Sequence, residues 1–268
     1  MNKFICPKCK DQLTLCNKTL KCDNNHCFDL AKQGYVNLLM SQQSSQKRHG
    51  DDKLMVKSRT NFLEKGYYLP LLNKINETLT KYINSKSFVL DVGCGECFYT
   101  EKIAKNFNCE IYGIDISKDA LMVGAKKNDN LHLAVASIFN IPIKDSSCDC
   151  IINIFAPHSE DEFKRILKDS GILLRVTPLE NHLWELKENI YDTPYKNEVE
   201  DFLLSGFELL ENVEVKYTID LTSNDDIVNL FKMTPYYYKT SKLDQEKVED
   251  LTSLSTQIEF SVLIYKKS

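Results

Sequence analysis

From residue 87 onward, short apolar runs alternate with stretches whose apolar residues recur every three or four positions. Ser87–Val92, Glu110–Ile114, Leu131–Val135, Cys148–Ile154 and Gly171–Val176 read as strands. Between them, Cys97–Asn106, Ser117–Lys127 and Asp161–Leu167 have helical spacing, the second opened by a serine N-cap. This alternation predicts an α/β fold: a doubly wound, mostly parallel sheet with helices on both faces. Farther on, Leu183–Tyr191, Glu198–Leu204 and Asp225–Lys232 read as helices. Phe207–Leu221 and Gln257–Lys266 read as strands, paired antiparallel at the sheet edge. Ahead of the sheet, residues 54–84 have helical spacing broken near Gly66 and Pro70, which predicts two helices.

The run from Ser41 to Lys53 is polar and rich in turn formers and reads as a linker. The chain therefore divides into a module at 1–40, a linker and helical connector at 41–86, and a main domain at 87–268. No apolar run approaches the ~20 residues of a membrane helix. The first residues lack the apolar core of a signal peptide. A cytoplasmic protein without a membrane partner is expected. With 43% hydrophobic and 27% charged residues, composition excludes a mainly disordered or fibrous chain. Charge is uneven: residues 1–60 carry 11 Lys+Arg against 5 Asp+Glu, so a basic segment precedes an acidic body. A basic segment can touch a phosphate backbone or simply be solvated.

Five of the ten cysteines fall in the first 27 residues. The spacing Cys6-x2-Cys9-x12-Cys22-x3-His26 puts one thiolate pair on a tight turn and returns a second pair after a short hairpin. Three sulfurs and an imidazole suit a closed tetrahedral Zn2+ site, structural rather than catalytic. Cys27 is the alternative fourth ligand, and Cys16 falls mid-hairpin as a bystander.

The first strand of the main domain ends Leu90-Asp91-Val92-Gly93-Cys94-Gly95-Glu96-Cys97. Glycines at 93 and 95 let the backbone turn and a ligand approach it. Asp115 ends the second strand twenty residues after Gly95, where an acid can accept hydrogen bonds from ribose hydroxyls. A dinucleotide fingerprint needs a third glycine at 98, where this chain has Phe98. With Asp91 leading in, the loop fits S-adenosylmethionine better, with Asp91, Gly93, Cys94, Gly95, Glu96, Asp115 and Ile116 around it. Ser137 and Ile138 follow the third strand, where an adenine could be contacted. Asn153, Phe155, Pro157 and His158 follow the fourth, where open sheets bind substrates.

Several segments together resemble a known family: the zinc spacing, F-D-L-A-K-Q-G-Y-V-N-L-L (28–39), D-V-G-C-G-E (91–96), T-P-x-x-x-H-L-x-E-L-K (177–187) and Met233-Thr234-Pro235. They resemble, in order and over nearly the whole chain, the bacterial 23S ribosomal RNA guanine-N1 methyltransferases, some linked to macrolide resistance. The resemblance implies a class I methyltransferase sheet with a small N-terminal zinc-ribbon-like module. It implies zinc on Cys6, Cys9, Cys22 and His26, and cofactor contacts at Tyr68, Gly95, Glu96, Asp115 and His182. It implies a 23S rRNA hairpin as partner; a homodimer is compatible with the sequence. One departure is Cys97, where the family usually has glycine; its Cβ either narrows the methionine pocket or points away. The KPGG-like turn appears as Lys168-Asp169-Ser170-Gly171.

Read this way, guanine N1 attacks the sulfonium methyl. Candidates for drawing off the N1 proton are His158, Glu160 and Asp161. Phe155, or one of Tyr236, Tyr237 and Tyr238, would stack on the base. Lys47, Arg48 and Arg59 would hold the RNA backbone. Two readings compete: a methyltransferase acting on a small molecule or protein, and a non-catalytic RNA-binding relative.

Overall fold

The computed structural model describes residues 2–40, 50–128 and 130–268. Lys47, Arg48 and His49 lie outside the described residues. Eight strands form one sheet in the order β10-β11-β9-β8-β5-β6-β7-β4. Its parallel centre comprises β5 (Phe88–Val92), β6 (Glu110–Asp115), β7 (His132–Val135), β8 (Cys148–Ile154) and β9 (Leu167–Pro178). Helices α3 (Phe98–Phe107), α4 (Lys118–Gly124) and α5 (Glu160–Ile166) make the crossovers. Strands β10 (Phe207–Leu221) and β11 (Leu254–Lys267) pair antiparallel, and β11 lies against β9. The predicted sheet and its antiparallel edge are present. Every residue of β5 is buried, as a strand covered on both faces requires.

One face of the sheet packs α1 (Lys53–Glu64), α2 (Leu69–Leu79), α3, α6 (Trp184–Ile190) and α7 (Asn224–Lys232) in a cluster with Phe62, Ile75, Ile152, Leu174 and Phe260. The other face packs α5 and the N-terminal module. That module holds three antiparallel strands, β1 (Thr14–Cys16), β2 (Thr19–Lys21) and β3 (Cys27–Asp29). Its chain then enters the main sheet as β4 (Val36–Asn37), parallel to β7. Phe4, Cys6, Leu13 and Leu20 share a core with Leu90, Val92 and Tyr112, and the Phe4 and Tyr112 rings meet edge-on at 4.9 Å.

Two expectations are corrected. Glu198–Leu204 is not a helix but an irregular segment. Tertiary anchors override its spacing: Asn197 donates to the carbonyls of Leu179 and His182, Tyr265 Oη donates to the Phe202 carbonyl, and Leu204 is buried. The end of the predicted linker is also packed, since a Cβ on Gly50 would stand 2.9 Å from Ile116 Cγ2, and Asp52 caps α1 through the Met55 N–H. Helices α8 (Tyr236–Lys239) and α9 (Lys242–Glu249) had no expectation.

Candidate functional site

In the module, Cys6, Cys9 and Cys22 each place Sγ 3.4 Å from His26 Nδ1, and the Cys9 and Cys22 sulfurs are 3.6 Å apart. A tetrahedral ion with bonds of ~2.0–2.3 Å separates its ligands by roughly 3.3–3.8 Å. The donor set and its spacing fit Zn2+. Two turns build it: the Lys10 N–H closes onto the Cys6 carbonyl, and the Asn25 N–H onto the Cys22 carbonyl. Lys10 and Asn25 take left-handed φ of 64° and 60° there. Cys16 and Cys27 are exposed and outside the cluster.

At the carboxyl end of β5, the Gly93 and Cys94 N–H groups both reach the Ile114 carbonyl and bind the loop to β6. Gly93 has φ +82°, and a Cβ there would meet the Ala156 Cβ at 2.3 Å. The Gly95 N–H donates to one oxygen of Asp115 at 2.8 Å and the Ser117 N–H to the other at 2.7 Å. Burial raises the Asp115 carboxyl, and those two amides oppose it. A carboxylate offers about four lone-pair sites, so Asp115 retains capacity for a ribose diol. Asp91 is buried and accepts from Thr100 Oγ1 at 2.6 Å. Burial pushes it up to about 7, with Asp115 and Glu96 adding to the rise. Glu96 accepts from the Phe98 N–H, and its other oxygen lies 3.7 Å from Lys127 Nζ. Ile116, Ser137 and Ile138 follow β6 and β7 at the same end of the sheet.

Cys97 adopts φ 65°, which explains why glycine suits this position. Its thiol fills the notch beside Gly124, where a Cβ would approach within 2.5 Å, and is fully buried. Of the two alternatives for Cys97, the side chain packs against α4 beside Cys94, whose sulfur is 3.9 Å away.

Beyond the loop lies an aromatic basin. The Phe155 ring is 44% exposed and lies 4.7 Å from Phe260, which contacts His182 at 4.4 Å and Tyr68 at 5.3 Å. Tyr99 completes it, 6.4 Å from Phe155, with a buried hydroxyl that has no hydrogen-bond partner. His182 Nδ1 accepts the Glu259 N–H, which leaves the ring proton on Nε2. Burial, helped by Lys187, pushes His182 down to about 3, so the ring is a neutral donor. The orphaned Tyr99 hydroxyl, the His182 donor and the Asp115 acceptor fit a nucleoside cofactor with a polar amino-acid tail.

The other predicted residues have partners of their own. His158 Nδ1 lies 3.0 Å from Arg175 Nη2, and Arg175 also meets Glu200 at 3.3 Å. Arg175 and Asn153 are register partners that alternate with the basin-side residues Leu174 and Ile154. Burial and Arg175 lower the His158 pKa, and its Nδ1 is already occupied. Asn153 donates to the Val92 and Pro157 carbonyls and ties the two loops together. Glu160 and Asp161 occupy the first turn of α5, where Asp161 meets Lys164. Tyr236 bonds Asn197, and Tyr237 packs on Phe231. Exposed Tyr238 reaches Asp52. Arg59, expected on the RNA backbone, is partly exposed and bonded to Asp51 and to the Met233 carbonyl.

Sequence reasoning missed Tyr99, Thr100 and Phe260. Thr100 faces Asp91 one turn into α3, a spacing legible in principle. Nothing local marks Phe260, which reaches the site through the β11–β9 register opposite Pro178.

A zinc-ribbon family model described as "RlmA, N-terminal" matches residues 4–47, and one described as "Methyltransferase domain" matches residues 89–175. The 23S rRNA (guanine(748)-N(1))-methyltransferase of Streptomyces fradiae is 35% identical over 185 residues, covering 68% of this chain and 65% of that protein. The Bacillus subtilis (strain 168) protein YxjB, provisionally named a 23S rRNA (guanine-N(1)-)-methyltransferase, is 31% identical over 98% of this chain and 97% of its own length. The fold, the glycine loop and the metal centre define a class I methyltransferase carrying a zinc ribbon. The chain belongs to the family of the 23S rRNA (guanine-N1)-methyltransferases.

Proposed function

We propose that this protein transfers a methyl group from S-adenosylmethionine to N1 of a guanine in 23S rRNA. The observation that carries the reading is the juxtaposition of the Gly93–Gly95 loop and Asp115 with an open aromatic basin at one end of the sheet. S-adenosylmethionine, when bound, supplies a methyl group made electrophilic by a positive sulfur. On transfer a bond would form from N1 to carbon, the bond from carbon to sulfur would break with its electron pair staying on sulfur, and the N1 proton would pass to solvent.

The chain contributes position. Asp115 would hold the ribose end, and the Gly93–Gly95 loop the amino-acid tail. Phe155 offers an exposed face on which an unstacked guanine can lie, held from behind by Phe260. His182 cannot take the N1 proton, because its Nδ1 is occupied and burial keeps it neutral. Its role is to donate from Nε2. The exposed ribbon lysines Lys8, Lys18 and Lys21 suit the backbone of a 23S rRNA hairpin. Among the described residues no helix is long and apolar enough to cross a membrane. Together with a ribbon built on reduced thiols, this supports a cytoplasmic site of action.

The test is incubation with methyl-labelled S-adenosylmethionine and unmodified 23S rRNA, followed by digestion to nucleosides. Label in 1-methylguanosine is expected. Label in another nucleoside, or in none while cofactor still binds, would overturn the reading.

A further inference from the structure

Arg59 lies beside the glycine loop. It stands in α1, yet its Nη1 lies 3.7 Å from the point a Cβ on Gly95 would occupy. The guanidinium is held from two sides. Nη1 meets the Asp51 carboxylate, and Nη2 donates to the Met233 carbonyl at 3.2 Å. Asp51 is itself fixed, since Ser117 Oγ donates to its carbonyl at 2.6 Å, two residues past Asp115. The Met233 carbonyl thereby orients a cation over the glycine loop.

The loop is otherwise acidic. Asp91, Glu96 and Asp115 surround it, and Lys127, the other cation nearby among the described residues, is paired with Glu64 and Glu96. The positive field of Arg59 reaches Glu96, Asp115, Tyr68 and Tyr99 and at each opposes the rise that burial causes. The amino-acid tail of the cofactor carries both an ammonium and a carboxylate. The acids suit the ammonium, but a carboxylate entering this ring would be repelled. A planar fork with five donors matches a carboxylate in two-point geometry and can keep Asp51 as well.

We propose that Arg59 is a cofactor-binding residue that receives the α-carboxylate of S-adenosylmethionine over Gly95. The inference rests on the methyltransferase reading and names one subsite within it.

The test is calorimetric titration of the full-length, zinc-loaded protein with two ligands. S-adenosylhomocysteine has the carboxylate, whereas 5′-methylthioadenosine lacks the whole amino-acid tail. Arg59→Met should bind S-adenosylhomocysteine roughly 10- to 100-fold more weakly, the range expected for losing charged hydrogen bonds. Its affinity for 5′-methylthioadenosine should stay within about twofold. Arg59→Lys, a point charge without the fork, should fall between. Unchanged affinity of Arg59→Met for S-adenosylhomocysteine would overturn the proposal, and so would an equal loss for both ligands. If Arg59→Met does not fold, Arg59→Lys decides: a loss confined to S-adenosylhomocysteine supports the subsite, and a loss shared by both ligands overturns it. If the wild-type protein binds neither ligand, the methyltransferase reading itself fails.

Discussion

The zinc ribbon and the cofactor platform solve the same problem by opposite means. The ribbon has three strands of three residues, and its buried apolar side chains are few: Phe4, Ile5, Leu13 and Leu20. Four metal ligands stand where a core would be, so much of its folding energy comes from the ion. The platform has central strands that are almost wholly buried, and each buried Leu or Ile contributes about 1.5–3 kcal/mol. Yet the ribbon is not a bead on a string. Its apolar residues belong to the same cluster as β5 and β6, and its last strand joins the main sheet. A metal-dependent element is thus continuous with a metal-independent one, and a change in either should be felt across the seam.

The largest effect should come from the metal. Cys9→Ser, or removal of zinc by chelation, should unfold residues 4–30, since structural zinc contributes on the order of 10 kcal/mol in comparable small modules. Because Val36 and Asn37 pair with Ala134 and Val135, hydrogen exchange should also quicken in β7. Protection of β7 unchanged by metal loss would show that the seam is only a contact. Gly93→Ala should do the converse. Its Cβ would stand 2.3 Å from Ala156 at a φ of +82°, so the loop must move. Cofactor affinity measured by calorimetry should fall below detection while zinc content stays at one per chain.

The two regions were not equally legible in the sequence. The ribbon's ligands could be read from spacing alone, because two-residue and three-residue gaps are themselves the geometry of a metal turn. The loop was legible for a similar reason: Gly93, Gly95 and Asp115 are tied to strand ends, and strand ends follow from periodicity. The basin was not, since Phe260 arrives from a strand more than a hundred residues away through a register that no local pattern encodes. The partners of Arg59 were not legible either, because only tertiary structure brings Met233 and Asp51 to it. Glu198–Leu204 has helical spacing but is held irregular by Asn197 and Tyr265.

Acidity should separate the regions next, with opposite signs. Zinc binding needs deprotonated thiols and a neutral imidazole, so the ribbon gains stability as pH rises. Asp91 does the reverse. Its folded-state carboxyl titrates at about 7 against 3.8 for an unperturbed one, so between those values the folded chain holds a proton that the unfolded chain has released. Stability from this group is full below pH 4, declines as pH rises, and levels off above pH 7. The total is on the order of 4 kcal/mol. Urea midpoints measured from pH 5 to 8 should show Asp91→Asn gaining on wild type as pH rises. Parallel curves would mean that Asp91 is ionised throughout.

The smallest effect should distinguish the two regions by how each holds RNA. If the ribbon grips the backbone and the platform stacks the base, then affinity and salt dependence should divide between them. Lys8, Lys18 and Lys21 are exposed on the ribbon. Replacing any one by Ala should lower the slope of log affinity against log salt by up to about 0.9 for each phosphate left without its lysine. Phe155 carries no charge, and its ring is 44% exposed over Phe260. Phe155→Ala should therefore cost about 1–3 kcal/mol of binding, the magnitude of one base–aromatic stack, and leave the salt slope unchanged. Filter binding to a 23S rRNA hairpin at several salt concentrations reads both quantities at once. A Phe155→Ala protein that loses salt dependence along with affinity would place the backbone grip on the platform itself, and the division of labour between the regions would fail.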